Sequence, residues 1–354
     1  MRKLICICLA VMLLGVCIAS AEETVIPKVN NVTTPKLIPQ DHVAAEGESP
    51  FTGLPDSGEA YTPIMLPLDN SPEAHPLWGI GDASILFQFP LTDNGGTRLM
   101  ALYGDTYPEQ AGGVRSARMT MLPLVNAFNA VFAYAGMPPI GSGPVSVDTW
   151  LTEWGFRKPT RHYSLLGDQY RERMSFVADP HNLSAHVNEL HNHLAQRDIT
   201  FEDRAFLFAD EPLDRGEKAS VISVEYQNHK NLSKTSPNSA SVFTWKPETG
   251  YIRTSASGEM TDRTTGEAVP FANVIVMRVP VEWEKSYPYY ADQLRGSGQA
   301  DIFQSGRYIQ GAWMHPNYAD RLVFLDETGK ELTLQRGKTF IVLGDEIIVS
   351  YSDD

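Results

Sequence analysis

The sequence predicts an α+β protein: an N-terminal α/β layer domain over residues 49–205, then a smaller, mostly β domain over 219–354. Three observations lead there. From 49 to about 204, apolar strand-like runs alternate with helix-like segments, the pattern of a layered α/β unit. Beyond 219 the chain turns to short apolar stretches separated by Glu248-Thr249-Gly250, Ser305-Gly306, Glu327-Thr328-Gly329 and Gly344-Asp345, which read as strands and tight turns. Between the two halves, Asp210-Glu211-Pro212 and Asp214-Arg215-Gly216-Glu217 have loop composition.

Taken in order, 61–68, 83–89 and 99–103 read as strands. A helix is expected over 116–129 with a kink at Pro123. A buried strand follows at 130–135, then helices over 145–154 and 183–196. In the second half, strands are expected at 221–226, 242–245, 251–254 and 274–279. A hairpin of 301–304 and 307–313 turns at Ser305-Gly306, and further strands fall at 322–325, 331–334, 339–343 and 346–350.

The first 21 residues start with Arg2 and Lys3, run apolar over 4–19 and end Ala19-Ser20-Ala21, the form of a secretory signal cleaved after Ala21. All three cysteines (Cys6, Cys8, Cys17) lie inside it, so the exported protein is expected to hold neither disulfides nor a reactive thiolate. The alternative is a lipid anchor at Cys17, for which Val16 is a poor preceding residue. Residues 22–48, rich in Pro, Thr, Asn and Val, read as a flexible tether. Losing Arg2 and Lys3 takes the formal charge from −14 to −16. Such acidity repels phosphate backbones and argues against nucleic acid, leaving a lipid at Cys17 as the one route to a membrane.

The densest chemistry lies between Gly95 and Arg118, where Arg98, Asp105, Arg115 and Arg118 accompany Gly95-Gly96 and Gly112-Gly113. Guanidinium forks match carboxylates and phosphates, and glycines let backbone amides approach an anion. The competing reading is an internal ion-pair lattice with Asp69, Asp82 or Asp105. A second set, Asp69-Asn70-Ser71-Pro72-Glu73-Ala74-His75, follows a predicted strand, where ligand crevices form in open sheets. There Asp69, Asn70, Glu73 and His75 are the candidate acid/base or metal-binding groups, against a plain polar turn. His181 and Asn182 precede a predicted helix, with Asn182 also a fitting N-cap. Spacing among His181, His186, His191 and His193 gives no metal-ligand pair, and no P-loop, Rossmann glycines or GxSxG elbow occurs, so neither metal nor cofactor is expected.

Several stretches together resemble the YerB-like lipoproteins of Gram-positive bacteria. They are Ser49-Pro50-Phe51-Thr52-Gly53-Leu54, Asp69-Asn70-Ser71-Pro72-Glu73-Ala74, Gly113-Val114-Arg115-Ser116-Ala117-Arg118 and Pro180-His181-Asn182-Leu183, with later matches at Asn273-Val274-Ile275-Val276 and in 296–313. The resemblance implies an exported, two-domain cell-envelope protein and supplies no reaction.

The resulting expectation is binding of an anionic envelope component (wall glycan, teichoic polymer or peptide carboxylate) through Arg98, Gly112, Gly113, Arg115 and Arg118, with Asn70, Glu73 and Asn182 nearby. One alternative is an envelope-polymer hydrolase with Asp69 or Asp105 as acid/base and His181 as proton shuttle. Another is a noncatalytic partner of a membrane-bound complex.

Overall fold

In the computed structural model, residues 23–353 are described apart from 30–31, 33–38, 40–41, 159–160, 168, 198 and 319; of the side chains at 235–238 nothing is said. The expected signal peptide, its cleavage site and Cys17 lie outside the described residues.

Two interior sheets organise the chain. The larger has eleven strands, in the order Glu217–Lys218, Arg307–His315, Gly296–Gln304, Asn273–Arg278, Thr339–Gly344, Ile85–Pro90, Thr97–Tyr103, Ile64–Leu68, Val131–Tyr134 and His162–Ser164, with Val323–Leu325 beside Arg307–His315. The second has seven, led by Ile347–Ser352, Val221–Asn228, Asn231–Lys246 and Gly250–Ser255.

The central strands of the large sheet are buried on both faces, which is why they read as continuous apolar runs. Side chains alternate along a strand, so neighbours serve different cores. Leu66, Leu86, Val274 and Val342 pack with Ile222, Phe243 and Val349 of the seven-stranded sheet. Met65, Phe87, Ile275 and Ile341 point the other way, onto helices α1 (Leu122–Ala127) and α2 (Val147–Glu153).

This arrangement corrects the expected fold class. The protein is mostly β, with 41% strand against 10% helix, and has no N-terminal α/β layer domain. Doubly buried strands imply a cover on each face, and helices were the natural guess. One cover is instead a second sheet, drawn largely from the chain's second half. The helices are also shorter than expected. Pro123 sits in the first turn of α1 and starts it rather than kinking it, leaving 116–121 outside the helix. The expected helix over 183–196 opens as strand Leu183–Ala185, and helix α3 spans only Val187–Ala195.

No seam divides the large sheet between halves. Ile85–Pro90 pairs in parallel with Thr339–Gly344, which pairs in parallel with Asn273–Arg278. The expected tether is also partly tied down: Thr24–Val25 pairs antiparallel with Tyr351 and Ser350, and Ile26 is buried.

Candidate anion-binding site

The antiparallel register of Ile64–Leu68 on Thr97–Tyr103 sets up the site. Leu68 faces Leu99, so one step further Asp69 comes opposite Arg98 and Asn70 opposite Thr97. Asn70 Nδ2 donates to Thr97 Oγ1 at 2.8 Å, continuing the pairing through side chains. The segment 112–115 crosses this strand end. Asp69 N donates to Gly113 O at 2.9 Å, and Arg115 N to Pro67 O at 2.9 Å. Val114 N donates to Leu183 O at 2.7 Å, which brings the 178–183 turn and its His181 alongside.

Asp69 is the hub. Its Oδ2 receives Arg115 Nε at 3.1 Å and His181 Nδ1 at 2.8 Å. Its Oδ1 accepts the Ser71 amide at 3.1 Å and the Ser71 hydroxyl at 3.0 Å. Burial of the carboxyl favours protonation, but Arg98, Arg115, the Ser71 amide and His181 together outweigh it. Asp69 is therefore held ionised, below the usual carboxylate range.

Arg98 is 4% exposed, and its Nε and Nη1 are buried without hydrogen-bond partners among the described residues. Burial pushes its pKa down to about 9; Asp69 opposes this, while Arg115 and Arg118 reinforce it. Arg118 is lowered for the same first reason; its Nη1 donates to Ala117 O at 2.8 Å while its Nε is buried and unpaired among the described residues. Arg115 Nη1 reaches Pro180 O at 2.9 Å, and its side chain remains 26% exposed. Two guanidiniums, Arg98 and Arg115, thus act on the buried Asp69 carboxylate, with Arg118 beside them. His75, at 3.2 Å from Asn70 Oδ1, is pushed down to about 4, first by burial and then by Arg253, so it stays neutral at pH 7.

The conserved-domain profiles of one family match the chain in two parts. The DUF3048 N-terminal domain, described as a protein of unknown function, matches residues 51–200, and the DUF3048 C-terminal domain matches residues 232–341. The chain belongs to the DUF3048 family. It is 25% identical over 300 residues to "Putative lipoprotein YerB" of Bacillus subtilis (strain 168), covering 83% of this chain and 85% of that one. The crystal structure of YerB protein from Bacillus subtilis matches with a TM-score of 0.68 at 23% identity, over 85% of this chain and 99% of that one. The resemblance expected from the motifs is therefore shown, and the solved structure supports the fold.

Within this DUF3048 chain the predicted residues divide. Asp69, Asn70, Arg98, Arg115, Arg118 and His181 come together. Asp105 does not: it follows Tyr103, which pairs with Ile64, so it lies at the other end of the strand pair, roughly 17 Å away. There its Oδ1 accepts Ser57 N at 2.9 Å. Glu73 is exposed on the 3₁₀ turn Pro72–Ala74. Asn182 accepts from Arg173 Nη1 at 2.6 Å and caps no helix, since α3 starts five residues later. His186, His191 and His193 are spent elsewhere, His191 stacking on Tyr107 at 3.8 Å.

The glycine pairs allow close packing. A Cβ on Gly113 would stand 2.0 Å from His181 O, and one on Gly112 2.3 Å from the Trp78 ring. Gly112 N is already donated to Trp78 O at 3.0 Å. Gly95-Gly96 closes the hairpin turn before Thr97, with Gly95 at φ +87°. Sequence reading missed the part of Ser71, although a serine two residues beyond an aspartate is a recognisable local hydrogen-bonding pattern. It also missed Tyr287, whose phenol interacts with Arg118 and which left no sequence signal. Two cavities, of about 730 and 550 Å³, lie apart from the cluster and share none of its residues.

Proposed function

We propose that this protein is an exported cell-envelope protein that binds an anionic envelope ligand, such as a wall glycan, teichoic polymer or peptide carboxylate, at the Asp69 end of its large sheet. One observation carries the reading: Arg98, Arg115 and Arg118 lie in one another's field, Asp69 offsets the charge of Arg98 and Arg115, and Arg98 keeps two buried donors unpaired among the described residues. Uncompensated buried cations are costly, and a bound anion offsets that cost. Arg115, Arg118 and His181 are the partly exposed members and would meet the ligand; Arg98 is buried and supplies field. The envelope location draws on the relative's name, a lipoprotein.

The test is co-sedimentation of purified protein with isolated Gram-positive cell walls, comparing wild type with Arg115→Ala/Arg118→Ala. Loss of retention with an unchanged melting temperature supports the arginine site, and undiminished retention sinks it.

A second reading is favoured by the Asp69–His181 hydrogen bond. With Asp69 ionised on Nδ1, the Nε2 of His181 is set up as a general base, and Asp69 is a positioning residue rather than an acid. Ser71 sits 3.3 Å from Nδ1, the wrong nitrogen for activation as a nucleophile. Release of soluble wall fragments that stops in His181→Gln would establish hydrolysis.

A further inference from the structure

The opposite end of the large sheet holds a second cleft, built by parallel register. Ile85 pairs with Thr339, so the residues leading into these two strands emerge side by side. Asp82 ends the 3₁₀ turn Ile80–Asp82, and Lys338 directly precedes Thr339. The Lys338 carbonyl accepts Ala272 N at 2.8 Å and Asn273 N at 3.3 Å, which fixes its backbone. The 262–270 loop makes the facing wall.

That wall is anchored by Asp262, whose carboxylate accepts Gly79 N at 3.2 Å, Gly81 N at 2.6 Å and Thr264 N at 2.7 Å. Gly79, at φ +69°, lets Gln110 O approach to where a Cβ would be 2.3 Å away. The enclosed space is about 550 Å³, within the range of small-molecule sites, and Pro108, Val269 and Pro270 give it apolar walls.

Asp262 is consumed by these amides, but Asp82 and Lys338 are not. Among the described residues neither side chain makes a hydrogen bond or an ion pair within 4.0 Å, although both line the cleft. A half-buried carboxylate and a half-buried ammonium therefore face one cavity with a gap between them. We infer that this cleft binds a small zwitterion, an α-amino acid or short peptide, with its ammonium on Asp82 and its carboxylate on Lys338. Burial pushes the Asp82 carboxyl up and the Lys338 ammonium down, each opposed by the other's charge. A zwitterion would supply each with the close partner it lacks. Glu109 and Glu267 stand exposed at the rim, and Asp105 lies within the field of Lys338.

Saturation-transfer NMR on the purified protein with the twenty amino acids and a set of dipeptides tests this. At least one zwitterion is expected to bind, and its N-acetylated and its amidated forms are each expected to bind tenfold or more weakly. Asp82→Asn should abolish the preference for the free amine alone, and Lys338→Met the preference for the free carboxylate alone, with Lys338→Arg retaining it. Melting temperatures check that each variant folds. No binding by any member of the set to wild type, or equal binding of a blocked form, overturns the proposal.

Discussion

The two ends of the large sheet carry opposite chemistry on neighbouring strands. At one end Asp69 meets Arg98 and Arg115, with Arg118 beside them; at the other Asp82, Asp105 and Asp262 act on Lys338. Asp69 and Asp82 are both carboxylates withdrawn from water, yet the first is held below the ordinary range and the second above it. Burial acts in the same direction on both. The difference lies in close partners: Asp69 accepts four hydrogen bonds or ion pairs, whereas Asp82 accepts none from the described residues. Burial sets the cost of a charge, and local hydrogen bonding decides whether the charge survives it.

The sharpest way to break this comparison is to remove each carboxylate. Asp69→Ala strands Arg98 and Arg115 without their anion and is expected to cost about 3–5 kcal/mol in urea unfolding. Asp82→Asn should leave stability within about 1 kcal/mol of wild type, because no close bond is lost. Equal losses at both positions would erase the distinction.

Acidification comes next. His75 is held neutral down to about 4, against an ordinary value of 6.5. A depressed folded pKa contributes stability that is present above the unfolded value and lost as pH falls. Unfolding free energy should therefore drop by up to about 3 kcal/mol between pH 7 and pH 4 from this residue, with Asp69 adding further loss in the same direction at lower pH. In His75→Gln the slope between pH 6.5 and 4 should flatten, as read from unfolding curves across that window.

A smaller effect is expected from Gly113→Ala. Its Cβ would collide with His181 O, so the 178–183 turn must shift, at about 1–3 kcal/mol, and anion affinity should fall with it. A variant with wild-type melting temperature would show that the crossing at Gly113 is looser than described. The smallest effect belongs to Asp105→Asn, expected to change stability by less than about 0.5 kcal/mol and to leave anion binding at the arginine end untouched. An effect on that binding would mean the two ends communicate.

Much of the strand framework was legible because doubly buried strands leave unbroken apolar runs: the expected strands 61–68, 83–89, 99–103, 274–279 and 339–343 each overlap an observed one, with ends off by up to three residues. What covers them was not. A buried face looks the same in sequence whether a helix or a second sheet lies on it, and six of the seven strands of the cover come from beyond residue 220. The arginine cluster was legible as a local concentration of charge near 98–118. Its pairing with Asp69 and His181 depended on the register at Leu68 and on the crossing at 112–115, which local sequence does not encode. The same register removed Asp105, close in sequence to Arg98 and far from it in space. The Asp82–Lys338 pair, 256 positions apart, is set wholly by the parallel pairing of two strands.

The most direct test is calorimetric titration of the purified protein with inorganic phosphate and acetate at low and high salt, for wild type and for Arg118→Met. Saturable binding to wild type, weakened by salt and reduced about tenfold or more in a variant of unchanged melting temperature, is the predicted result. Binding that is absent, or indifferent to Arg118, would show that the clustered guanidiniums are an internal lattice and contradict the account.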